Sequence, residues 1–261
     1  MSGKAYLVGA GPGRADLITV RGLAVLRQAD LVLYDRLIAP ALLDEAPAHA
    51  ELRFVGKGPD HHVLPQAAIN ALLVEQVRAG RQVVRLKGGD PGVFGHAGEE
   101  ALALRKAGLP FEIVPGVSSA LAVPAYAGIP LTHRGLATAF AVVTGHEAAE
   151  TQPGSTNWAA LAQIPTLVVL MAVKRLPTIR AALLAAGRDP TTPVALISHG
   201  TTDQQQVVRT TLSGLPDDIG AQTIPTPAIA VIGQVAALAD ELAWFQPDGS
   251  AQGFVPFEDE A

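Results

Sequence analysis

The chain has 261 residues, 49% hydrophobic and 16% charged, which is enough apolar material for one large folded core or two small ones and excludes wholesale disorder. A formal net charge of −5 gives no global field for nucleic acid, so an anionic partner must be held by a local cluster of Arg and Lys. The absence of cysteine excludes disulfides, thiolate metal sites and a thiol nucleophile.

The start, MSGKAYLVGAGPG, carries one Lys before a short apolar run and reads as a first strand rather than a secretion signal. No stretch reaches the roughly 18 apolar residues of a membrane span, so no membrane partner is expected and the cytoplasm is the expected compartment. AYLVG (5–9) is a buried-strand run, and helical spacing follows over 19–29 with Thr19 as its cap. Strands are expected at 31–34, 51–55, 82–86 and 111–114. Helices are expected over 65–79, opened by Pro65 and closed by Gly80, over 98–107, stopped by Gly108, and over 118–127. Strands alternating with helices predict an α/β fold with a mostly parallel sheet covered on both faces. GIPLTHRGLAT (128–138) breaks the rhythm. A second series then follows: strands at 139–145, 166–171, 193–198, 206–211 and 228–233, a helix over 176–186 and a last helix near 235–245. The chain therefore reads as two α/β domains, 1–132 and 133–246, with a loose tail at 247–261.

Four stretches carry chemistry. VGAGPGRADLIT (8–19) ends a strand in glycines before a helix, where an α/β sheet binds ligands. Gly9 and Gly11 fit the dinucleotide fingerprint, but Arg14 stands where its third glycine belongs, which weighs against a nicotinamide-dependent oxidoreductase. VVRLKGGDPGVFGHAGEE (83–100) follows another strand. Its Gly88 and Gly89 permit close backbone approach, and Asp90 offers an acceptor to a ribose or an amine. Asp35 in LVLYDRL and Lys57 in FVGKG each follow a strand. Parallel strands bring both to one sheet edge, where they can share proton transfer or form a plain surface ion pair. PGVSSALAVPAYAGIPLTHRG (115–135) is rich in small residues, with Ser118 and Ser119 at a helix start that they either cap or offer to a ligand. The histidines are scattered, and no pair has metal-ligand spacing on one helix, so no metal is expected.

Together these motifs resemble the S-adenosylmethionine-dependent uroporphyrinogen-III C-methyltransferases of the tetrapyrrole methyltransferase family, over residues from about 5 to about 245. YDRL with VGKG, and the long PGVSS-to-THRG block, are the specific carriers. The resemblance implies a homodimer of two-domain α/β chains, with the cofactor in a cleft between the domains. It implies successive methylation of uroporphyrinogen III at carbons 2 and 7, through precorrin-1 to precorrin-2, with S-adenosylhomocysteine as co-product and no metal. Cofactor contacts then fall on Pro12, Gly88, Gly89, Asp90, Val93, Ser118, Ser119, Met171 and Gly200. The proton-transfer pair falls on Asp35 and Lys57, and substrate contacts on Arg36, Glu99, Arg134 and Lys174. His96 stands where the family often has Arg, exchanging a permanent cation for one that titrates; it is either a further substrate contact or a loop residue. A non-catalytic tetrapyrrole carrier could keep the cations but would have little use for the GGDP loop.

Overall fold

The computed structural model describes residues 3–56, 64–145, 156–215, 224–249 and 254. By its internal contacts the chain divides into two units, one up to Ser119 and the other Ala120–Asp248, and each is described by itself. In the first unit the apolar runs form strands β1 (Lys4–Gly9), β2 (Leu31–Tyr34), β3 (Glu51–Phe54), β4 (Gln82–Lys87) and β5 (Phe111–Val114). They make one sheet in the order β3-β2-β4-β1-β5, parallel throughout. Its helices are α1 (Val20–Leu26), α2 (Gln66–Arg78) and α3 (Ala97–Lys106). Thr19 caps α1 as expected, accepting the Gly22 N–H at 3.1 Å.

Side chains alternate across the strands, so each face of the sheet collects its own core. Leu7, Leu31, Leu33 and Val83 pack with Ile69 and Leu73 of α2 and Leu104 of α3. Val8, Val32, Val84 and Leu86 pack on the other face with Val25 and Leu26 of α1.

The second unit contains α4 (Ser119–Tyr126) but for its first residue, then β6 (Phe140–Thr144), α5 (Trp158–Leu161), β7 (Thr166–Leu170), α6 (Leu176–Ala185), β8 (Pro193–Ser198), β9 (Gln206–Thr211) and β10 (Ala228–Ile232). The sheet order is β6-β7-β10-β8-β9. Only β6 and β7 pair in parallel; β10 lies antiparallel between β7 and β8, and β9 is antiparallel to β8. One face packs on Leu176, Ile179 and Leu183 of α6, the other on Ala120 and Val123 of α4. Arg188, after α6, is buried and among the described residues meets no carboxylate; its guanidinium donates to the carbonyls of Ile164 (2.9 Å), Pro165 (3.1 Å) and Ile232 (3.1 Å).

Two expectations change. The division falls at Ser119/Ala120 rather than at residue 133, because Ala120, Val123, Ala127 and Ile129 belong to the core of the second sheet. The last helix is a short 3-10 segment, Gln234–Ala239, not a helix reaching residue 245. Beyond it Trp244 turns back to donate its indole N–H to the Ala125 carbonyl at 2.9 Å and packs against Tyr126. Most of the tail expected at 247–261 lies outside the described residues. Among the described residues no helix is long and apolar enough to cross a membrane.

Candidate functional site

Because β1–β5 run parallel, the loops leaving their carboxyl ends lie along one edge of the first sheet. That edge holds Pro12 after β1, Asp35 and Arg36 after β2, Gly88, Gly89, Asp90 and Val93 after β4, and Ser118 and Ser119 after β5. Lys57, expected beside Asp35, lies outside the described residues.

The loops are joined by their backbones. Gly89 donates its N–H to the Gly11 carbonyl at 2.6 Å, and Gly11 returns a bond to Gly89 at 3.2 Å. A Cβ on Gly116 would stand 2.2 Å from the Gly89 carbonyl oxygen, so Gly116 must be glycine for the chain to pass itself. The same holds for Gly88, where a Cβ would meet the Leu37 carbonyl at 2.4 Å. Its missing side chain, expected to leave room for a ligand, is thus required by the fold.

Asp90 is half-buried, and both of its oxygens are engaged by backbone: Oδ1 accepts the Gly92 N–H at 2.8 Å, Oδ2 the Gly116 N–H at 3.0 Å. Each ionised oxygen retains a lone pair for a further donor. Around this loop Leu37, Val93 and Phe94 are exposed apolar side chains, and Phe94 has φ +54°. His96, with φ +58°, pairs its Nδ1 with Glu99 Oε1 at 3.0 Å, so two expected substrate contacts hold each other.

In the second unit β6, β7 and β8 point the same way, and the residues after β7 and β8 share an edge with the start of β10. Met171 follows β7, exposed and with φ +55°; Lys174 is exposed in the next turn, Val173–Arg175. Gly200 follows β8 between His199 (φ +47°) and Thr201 (φ +70°), and a Cβ on it would strike Val123 Cγ1 at 2.3 Å. His199 donates from Nε2 to the Thr226 carbonyl at 3.1 Å, and burial lowers its pKa, favouring the neutral ring. Arg134 is exposed in a turn closed by backbone bonds between His133 and Ala137. Phe94, His96, Met171, His199 and Thr201 are the non-glycine residues with left-handed backbone among those described, and all five follow the carboxyl end of a strand. Such conformations cost about 1–2 kcal/mol each and concentrate where ligands are held.

A charged cluster that no sequence motif marks lies under the first sheet edge. Arg85 and Lys87 of β4 and Glu100 of α3 are almost wholly buried. Glu100 Oε1 accepts from Arg85 Nε (3.0 Å), Lys87 Nζ (2.9 Å) and Gln66 Nε2 (3.3 Å), while Arg85 Nη2 donates to Asp35 Oδ1 at 2.6 Å. Two cations with period two inside an otherwise apolar strand were the available signal. Burial, foremost, and the Arg85 charge hold the Lys87 pKa below the ordinary lysine range. Among the described residues no group of three or more His, Cys, Asp or Glu is placed to hold a metal ion.

A parallel sheet with backbone-joined loops at its carboxyl edge, followed by a mixed sheet with strained residues at its strand ends, defines a two-sheet α/β protein, a class in which ligands commonly bind at strand ends. Residues 4–216 match the profile of the Tetrapyrrole (Corrin/Porphyrin) Methylases, and the chain belongs to that family. It is 46% identical to the uroporphyrinogen-III C-methyltransferase of Bacillus subtilis over 247 residues, which is 94% of this chain and 96% of that protein. It is 47% identical to the siroheme synthase of Pseudomonas putida over 94% of its own length but 52% of the relative's, so it spans about half of that protein. A crystal structure of the uroporphyrin-III C-methyl transferase of Thermus thermophilus complexed with S-adenyl homocysteine superposes with a TM-score of 0.76 at 40% identity, over 90% of this chain and 99% of that one.

Proposed function

We propose that the chain transfers two methyl groups in succession from S-adenosylmethionine to carbons 2 and 7 of uroporphyrinogen III, giving precorrin-1 and then precorrin-2. The observation that carries this reading is the likeness to the Bacillus subtilis enzyme over nearly the whole of both chains. The loop edge of the first sheet suits such a cofactor. Between Gly88 and Gly95 it carries one carboxylate, Asp90, and no cation, and it exposes Val93 and Phe94. A sulfonium-bearing nucleoside calls for that combination of acceptor and apolar cover, and its chemistry requires no metal.

The cofactor supplies a methyl group on a positively charged sulfur: a pyrrole carbon bonds to it, the carbon–sulfur pair stays on sulfur, and the macrocycle then loses one proton. Asp35, working with Lys57, takes that proton. Pro12, Gly88, Gly89, Asp90, Val93, Ser118 and Ser119 hold the cofactor on the first unit; Met171 and Gly200 are assigned to it on the resemblance. Arg36, His96, Arg134 and Lys174 serve the substrate's carboxylates, and Glu99, paired with His96 Nδ1, orients the imidazole. The test is anaerobic incubation with S-adenosylmethionine and uroporphyrinogen III. Mass spectrometry should find two added methyl groups; binding of the tetrapyrrole without methylation would make the protein a carrier and refute the reading.

A further inference from the structure

We propose that Arg85 is a positioning residue for methyl transfer, fixing the Asp35 carboxylate in the orientation in which it takes the substrate proton. This rests on the role given to Asp35 above.

The placement follows from the strands. Leu33 of β2 is in register with Arg85 of β4. Alternation then puts Asp35, two residues beyond Leu33, on the face that carries Arg85 and Lys87, the face covered by α2 and α3. Arg85 is locked there through all three nitrogens. Nε binds Glu100 at 3.0 Å, Nη1 the carbonyls of Leu33 and Leu86 at 3.3 Å each, and Nη2 Asp35 at 2.6 Å. Glu100 is in turn held by Lys87 and Gln66. The charges of Arg85, Lys87, Glu100 and Asp35 balance only when Asp35 is counted as an anion. Its side chain is 28% exposed, against 3%, 4% and 0% for Arg85, Lys87 and Glu100, so Asp35 is the member of the cluster that can meet a substrate.

Stability alone does not call for this arrangement. Buried ion pairs commonly contribute no more than apolar residues of the same volume, because desolvating the charges offsets their attraction. A rigid cationic fork ending on a half-exposed carboxylate does what general-base catalysis needs: it keeps the acceptor in one rotamer, where a displacement of about 1 Å costs about 10²-fold in rate.

The experiment compares Asp35→Asn, Arg85→Lys, the charge-balanced pair Arg85→Met with Glu100→Gln, and that pair combined with Asp35→Asn. The readouts are melting temperature, affinity for S-adenosylhomocysteine, and kcat and KM with uroporphyrinogen III. The balanced pair takes the carboxylate partner from Lys87 and so should melt lower, but the folded protein should keep its cofactor affinity and its KM while kcat falls about 10²-fold. Adding Asp35→Asn should then cost little more, because the carboxylate is already misplaced. Arg85→Lys keeps the charge but loses the fork, and should lower kcat at unchanged KM. Wild-type kcat in the balanced pair or in Arg85→Lys overturns the inference, as does a loss from Asp35→Asn that simply multiplies that of the pair. Wild-type kcat in Asp35→Asn alone refutes the role of Asp35 itself, and the inference with it; a damaged Asp35→Asn beside fully active Arg85 variants refutes the positioning role alone.

Discussion

Replacing Asp90 by alanine tests whether the loop after β4 is primarily a contact for ligand or a fastening between loops. Read from the sequence, Asp90→Ala should weaken cofactor binding well before it harms the fold. The structure reverses the order. The substitution removes the acceptor of two backbone N–H groups, Gly92 at 2.8 Å within the loop and Gly116 at 3.0 Å in the loop after β5. A hydrogen bond to a charged acceptor contributes about 1.5–3 kcal/mol, and the half-buried setting places these two toward the lower end, so the expected loss is about 3 kcal/mol. Asp90→Asn keeps one carbonyl oxygen and should lose about half of that. The assay is urea unfolding followed by far-ultraviolet dichroism and by two local probes. Trp158 and Trp244, the chain's two tryptophans, both lie in the second unit, so their fluorescence reports that unit, whereas amide exchange at Gly92 and Gly116 reports the first. Exchange at those amides should accelerate and the far-ultraviolet midpoint should fall, with cofactor affinity falling alongside. An Asp90→Ala protein with wild-type exchange at Gly116 and a selective loss of cofactor affinity would refute the reasoning.

Glu112 on β5 accepts from Arg21 (2.7 and 2.8 Å) and Lys4 (2.8 Å), and these bonds, Arg21's first, push its pKa down to about 2. A depressed carboxylate stabilises the fold above its unfolded pKa, so the contribution is lost as pH falls from the ordinary glutamate range through about 2. After screening at this partly exposed site it is about 1 kcal/mol, and Glu112→Gln should reduce the fall in stability over that window by about that amount and lessen its salt sensitivity; an unaltered acid limb in the variant would count against the pairing. The homodimer implied by the family resemblance should show twice the chain mass by light scattering at micromolar concentration, and a monomeric mass there would rule it out.

Much of the fold can be read from local pattern. Leu31–Tyr34, Phe111–Val114, Pro193–Ser198 and Gln206–Thr211 are short apolar or β-branched runs between turn residues, and each is a strand over those residues. What cannot be read locally depends on partners distant in sequence. Nothing in Ala228–Ile232 says that it inserts antiparallel between β7 and β8. The stretch 235–245 has helical periodicity, but the 3-10 segment ends at Ala239, and the exposed Trp244 instead sets its ring against Tyr126 and its indole N–H on the Ala125 carbonyl, partners more than a hundred residues away. The site divides the same way. The loops were found because glycine, proline and an acid concentrate there. That Asp90 serves Gly116, 26 residues away, and that Gly88 faces the Leu37 carbonyl, are facts of packing. Arg85 does not stand out in the sequence, because a single charge inside an apolar run still fits the pattern of a strand.

Arg188 carries a consequence for how the second sheet finds its pairing. A β-strand slipped by one residue presents the wrong side chains to each face, and antiparallel neighbours joined by long connections have no tight turn to forbid it. Here one guanidinium binds the Pro165 carbonyl, just before β7, and the Ile232 carbonyl, at the end of β10. In the native pairing Ile232 stands opposite Leu167, which brings those two carbonyls within the span of a single fork. A slip would carry one of them out of reach and leave a buried charge with too few acceptors. Arg188 therefore acts as a register gauge, rewarding one alignment of β7 against β10 and penalising its neighbours.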